Sequence, residues 1–83
     1  MSRILVVDDD TSLLQMMGLM LKRAGHTAIM ASDGREGIEI AKRDKPDMAI
    51  IDIMMPDLSG YEVCTMLRKD PQTKDIPLLI LTA

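Results

Sequence analysis

Four short apolar runs constrain this chain more than any other feature: RILVV (3–7), HTAIMA (26–31), DMAII (47–51) and LLILT (78–82). RILVV and the run ending at Ile51 are continuously apolar rather than alternating, which is the pattern of parallel strands covered on both faces. Each gap between the runs reads as a helix or contains one. In SLLQMMGLMLKRAG, Ser12 and Gln15 have capping-box spacing, Leu14, Met17 and Leu21 share a helical face, and Gly25 supplies a stop. Residues 32–46 predict a second helix, with Asp33 and Glu36 near its start and Pro46 beyond its end. Ser59 and Glu62 form another capping box, launching GYEVCTMLRKD, which stops before Pro71. Strands alternating with helices through short turns imply right-handed crossovers and a parallel α/β sheet, in the order β1 α1 β2 α2 β3 α3 β4.

At 83 residues the chain has room for one domain and a thin core. With no Trp or Phe, and Tyr61 as the one aromatic residue, that core must be aliphatic and partly methionine. A net charge of -3 offers no basic footprint for nucleic acid, so direct DNA binding is not expected. Cys64 is the single cysteine, which excludes an internal disulfide and a multi-cysteine zinc site and suits a reducing compartment. The opening MSRILVVDDD is too short for a signal peptide, and no run approaches the ~20 residues of a membrane span. A cytoplasmic location with no membrane contact is expected.

The acids are placed where such a sheet binds ligands, outside the carboxyl ends of its strands near the point where strand order reverses. Asp8 and Asp9 end β1, Asp52 ends β3 and Thr82 ends β4. If β1 and β3 are neighbours, three carboxylates converge, and their repulsion raises at least one pKa unless a cation relieves it. Mg²⁺ suits a few carboxylate oxygens with retained waters. Asp52, single and central, is then the candidate nucleophile for a phosphoryl group, with Asp8 and Asp9 left for the metal and the Thr82 hydroxyl available to a phosphoryl oxygen.

ILVVDDD, DIMMPDLSG and the closing LILTA, in this order and spacing, resemble the receiver domain of two-component response regulators. The resemblance covers the whole chain and implies a flavodoxin-like fold with strand order 2-1-3-4-5. It implies that Asp52 accepts a phosphoryl group from the phosphohistidine of a sensor histidine kinase, as a signalling switch rather than a turnover enzyme. It further implies that Asp9, assisted by Asp8 and the backbone carbonyl of Met54, holds Mg²⁺ with Asp52, and that Thr82 is the switch hydroxyl. Met55, Pro56 and Gly60 match the family's loop after the phosphoacceptor.

Two departures follow from the same resemblance. Residues 1–83 are expected to be the N-terminal two-thirds of a receiver, without the later strand that carries the family's lysine and switch aromatic. Met54 stands where many members carry a polar side chain that positions the hydrolytic water, so slow dephosphorylation is expected.

An aspartyl-nucleophile phosphatase wants a second acid at position 54, and nucleotide binding wants glycines after β1; neither is present. The stronger rival is a fragment without phosphorelay activity that self-associates, its open β4 side buried by a second copy or by swapped elements. Plainer roles suit other residues: Asp10 at the start of α1, Asp57 in a turn, His26 as a structural or surface residue, and Cys64 as a small buried thiol. Met16, Met17 and Met20 read as core or α1 surface, and the basic pairs at 22, 42 and 68 as solvated helix ends.

Overall fold

The computed structural model describes residues 2–81; Thr82, the expected switch hydroxyl, lies outside them. The elements are β1 (Arg3–Val7), α1 (Thr11–Arg23), β2 (Thr27–Ala31), α2 (Gly34–Asp44), β3 (Met48–Asp52), α3 (Gly60–Lys69) and β4 (Leu78–Leu81). Every strand pair is parallel and the sheet order is β2-β1-β3-β4, as the resemblance implies.

β1 and β3 are the inner strands, and their side chains divide between two cores. Leu5, Val7, Ala49 and Ile51 face α2 and α3, where they meet Ile38, Ile40, Ala41, Val63 and Leu67. Ile4, Val6 and Ile50 face α1 and pack with Leu14, Met17 and Leu21. Burial on both sides is why neither strand alternates in polarity. Leu5 and Ile51 are fully buried, and truncating either to alanine costs about 2–5 kcal/mol. On the α1 side Leu79 of β4 remains 48% exposed.

Two local expectations change. α1 is capped by Asp10, whose Oδ1 accepts the N–H groups of Ser12 (3.0 Å) and Leu13 (3.2 Å), rather than by Ser12 with Gln15. A carboxylate two residues earlier accepts two amides at once, so the helix begins at Thr11. The basic pairs do sit in the last turns, but not all are merely solvated. Lys42 reaches Asp70 (3.3 Å), and Arg68 donates to the carbonyls of Lys74 (2.7 Å) and Ile76 (2.8 Å), bracing the turn that leads into β4. The Ser59–Glu62 capping box forms as expected.

Candidate functional site

The pairing of Val7 with Ile51 and Val6 with Ile50 aligns the carboxyl ends of β1 and β3. Asp8 follows β1 directly, and Asp52 is the last residue of β3. One carboxylate oxygen from each of Asp8, Asp9 and Asp52 lies within 4.8 Å of the others. The convergence expected from sequence is therefore present, with a graded exposure: Asp8 buried, Asp52 half-buried and Asp9 exposed.

Asp8 is the unusual member. It is 2% exposed. Its Oδ1 accepts the Asp10 N–H at 2.9 Å, whereas its Oδ2 is buried without a hydrogen-bond partner. Burial raises the Asp8 carboxyl above the ordinary carboxylate range, the Asp10 amide opposes this, and the charges of Asp52, Asp9 and Asp10 add to the rise. A buried oxygen with no donor costs free energy unless something satisfies it. A cation among three carboxylates does so and also cancels their repulsion, and all-oxygen donors suit a hard ion. The residues present fit a metal ion.

The loop from Ile53 to Ser59 forms the other wall. Its base is closed by the Gly60 N–H, which donates to the Ile53 carbonyl at 2.7 Å. A Cβ on Gly60 would collide with the Asp52 carbonyl oxygen and lie 2.9 Å from the Ile53 Cα, so only glycine lets α3 start this close to the strand end. Met55 and Leu58 pack against the α2/α3 core, while Met54 is 75% exposed. Asp9, Ile53, Met54, Met55, Pro56 and Ser59 line a cleft of ≈ 530 Å³ beside the carboxylates.

Sequence reasoning missed the reach of Asp57. It lies in a bend, as its reading as a turn residue expects, and its carboxylate also accepts the N–H groups of Gly34 (3.1 Å) and Arg35 (3.0 Å) at the start of α2. Those partners lie more than twenty residues away, and no local pattern announces them. His26 is structural as expected, its Nδ1 accepting the Ser2 N–H at 3.1 Å. Cys64 is half-buried and free, and burial pushes its thiol up, opposed by Arg68. Among the described residues, no helix is long and apolar enough to cross a membrane.

Comparison with known proteins agrees with the geometry. The family model described as response regulator receiver domain matches residues 4–83. Protein PilH of Pseudomonas aeruginosa is 39% identical over 82 residues, spanning 99% of this chain and 68% of PilH. The alkaline phosphatase synthesis transcriptional regulatory protein PhoP of Bacillus subtilis is 44% identical over 81 residues, which cover 98% of this chain and 33% of PhoP. The crystal structure of the N-terminal domain of a response regulator receiver protein from Methanoculleus marisnigri superposes with a TM-score of 0.97 at 40% identity, covering 100% of this chain and 68% of that one. Chemotaxis protein CheY4 of Vibrio cholerae gives 0.92 at 35% identity, over 100% and 72%. With its strand order, its acidic edge and these matches in agreement, the chain belongs to the response regulator receiver domain family of two-component signalling.

Proposed function

We propose that residues 1–83 act as the receiver portion of a two-component response regulator, and that Asp52 takes a phosphoryl group from the phosphohistidine of a sensor histidine kinase. The observation that carries this reading is the meeting of Asp52 with Asp8 and Asp9, one of whose oxygens is buried without a donor. An Asp52 oxygen forms the new bond to phosphorus while the phosphorus–nitrogen bond breaks and its electron pair returns to the imidazole. The product is an acyl phosphate. Being half-buried, Asp52 is open to a donor yet flanked by fixed groups.

Asp8, Asp9 and Asp52, with the Met54 carbonyl, would hold Mg²⁺, which when bound supplies neutralisation of the charge on the transferring oxygens. Asp8 is held by the Asp10 amide on one oxygen, which leaves the other for the ion. One phosphoryl group resides on one Asp52 per event, so the chain is a stoichiometric switch and not a turnover enzyme. The cytoplasm is the compartment this partner and the free thiol of Cys64 suit. Family membership favours signalling over the self-associating alternative.

Intact mass after incubation with Mg²⁺ and a small-molecule phosphodonor tests the proposal. A phosphoryl mass gain in the wild type that disappears in Asp52→Asn and with EDTA is expected. No gain in a chain that still melts cooperatively would overturn it.

A further inference from the structure

We propose that Asp57 is a positioning residue: its carboxylate ties the loop after Asp52 to the start of α2 and thereby holds that loop in the shape the acidic site needs. The inference rests on the reading of that site as a metal-dependent phosphoacceptor. α2 does not need Asp57 in order to begin. Its own N-cap, Asp33, accepts the Glu36 N–H at 2.8 Å, and the Glu36 carboxylate returns to the Ser32 N–H at 2.7 Å. The first two amides of the helix, Gly34 and Arg35, go instead to the two oxygens of Asp57. Such a bidentate grip fixes direction as well as distance.

Packing reinforces the tie. A Cβ on Gly34 would lie 2.9 Å from both the Leu58 Cβ and the Val63 Cγ2, so the first residue of α2 rests directly on the loop and on α3. Burial raises the Asp57 carboxyl, but the amides of Gly34, Arg35, Leu58 and Asp57 itself outweigh it and hold it below the usual carboxylate range. The carboxylate is thus ionised at neutral pH. The loop is then held at its base by Gly60 to Ile53 and at its tip by Asp57, with Met54 between the two. Releasing the tip frees the segment that carries the Met54 carbonyl without removing any carboxylate from the cluster.

Asp33→Ala is the control, because it removes a cap from the same helix without touching the loop. Titration calorimetry with Mg²⁺ on the whole chain should show the dissociation constant rising about tenfold in Asp57→Ala, the lower end of the loss on removing a metal ligand's support. Asp33→Ala should leave that constant unchanged while lowering the melting temperature comparably. Asp57→Asn keeps one acceptor oxygen and should fall between wild type and alanine; an effect of charge alone would make it as weak as alanine. In the metal-free protein, hydrogen exchange at the Gly60 amide should quicken in Asp57→Ala and not in Asp33→Ala. Equal Mg²⁺ affinity in wild type and Asp57→Ala, or an unchanged Gly60 exchange rate, overturns the proposal. A wild type that takes up no Mg²⁺ defeats the reading of the acidic site instead, and the Gly60 exchange rate then decides the positioning role by itself.

Discussion

Two loops at one edge of the sheet build the acidic site, and they are restrained in opposite ways. The loop from Asp8 to Asp10 is three residues long and braces itself. Asp8 accepts the Asp10 amide, Asp10 caps α1, and the Asp8 N–H extends the β1–β2 pairing by donating to Ala31 at 3.1 Å. The loop from Ile53 to Ser59 has seven residues and depends on groups outside itself. Its base needs the absence of a side chain at Gly60, and its tip is bonded to α2. A site can therefore rest on a helix that contributes no residue to it.

The contrast breaks most severely at Gly60. Gly60→Ala drives a methyl group into the backbone of Asp52 and Ile53, rigid atoms with no rotamer to yield. Overpacking of this kind costs about 1–3 kcal/mol, and each kcal/mol is roughly 4–8 °C of melting temperature for a domain this small. Because the displaced atoms belong to Asp52, the phosphoryl mass gain should vanish even at temperatures where the variant remains folded. Thermal melting beside intact mass checks both halves.

Asp8→Asn acts on the self-braced loop and should do the reverse to the metal-free protein. Relieving the unpartnered charged oxygen stabilises it by roughly 1–3 kcal/mol while abolishing stabilisation by Mg²⁺. The pH dependence has a definite sign. The folded state binds a proton at Asp8 more tightly than the unfolded chain does, so this group's contribution falls as pH rises from the ordinary carboxylate range through the raised value. In EDTA, melting temperature plotted against pH should decline for wild type relative to Asp8→Asn across that window, and Mg²⁺ should remove the difference. Parallel profiles would show that the cluster carries no strain.

A smaller effect comes from Asp10→Ala. Losing the cap costs about 1 kcal/mol, yet the bond to Asp8 comes from the Asp10 backbone and survives. Mg²⁺ affinity should drop only by what one solvated charge contributes, about 0–1 kcal/mol. Calorimetry that showed a much larger loss would mean the short loop is not self-braced.

The same contrast explains what the sequence disclosed. β1 and β3 were legible because unbroken apolar runs ending in acids leave few alternatives, whereas the strand order came only with the family resemblance, since the runs by themselves do not say which strands are neighbours. Asp8, Asp9 and Asp52 were legible because a strand end is a fixed place. At α1 two capping signals overlap within six residues, and Asp10 prevails over Ser12 because a carboxylate accepts two amides where the hydroxyl would take one. The tie from Asp57 to α2 was not legible: it depends on where the start of α2 lies in space, and spacing along the chain does not encode that.

Met54 carries the finest distinction between the loops, since it touches neither the fold nor the cluster's charge. Its side chain is 75% exposed, so Met54→Asn should shift stability by no more than about 0.5 kcal/mol. An amide at this place can hydrogen-bond a water beside Asp52, whereas a thioether is at best a weak acceptor. If the long loop is held as rigidly as its two ties imply, the amide is presented in one orientation, and the phosphoryl group, once formed, should be lost faster than from wild type. Mass measured at intervals after removal of the phosphodonor gives the half-life directly. Asp57→Ala in the Met54→Asn background should cancel most of that acceleration, because a loosened loop no longer aims the amide; an acceleration that persists would mean the water is positioned from elsewhere.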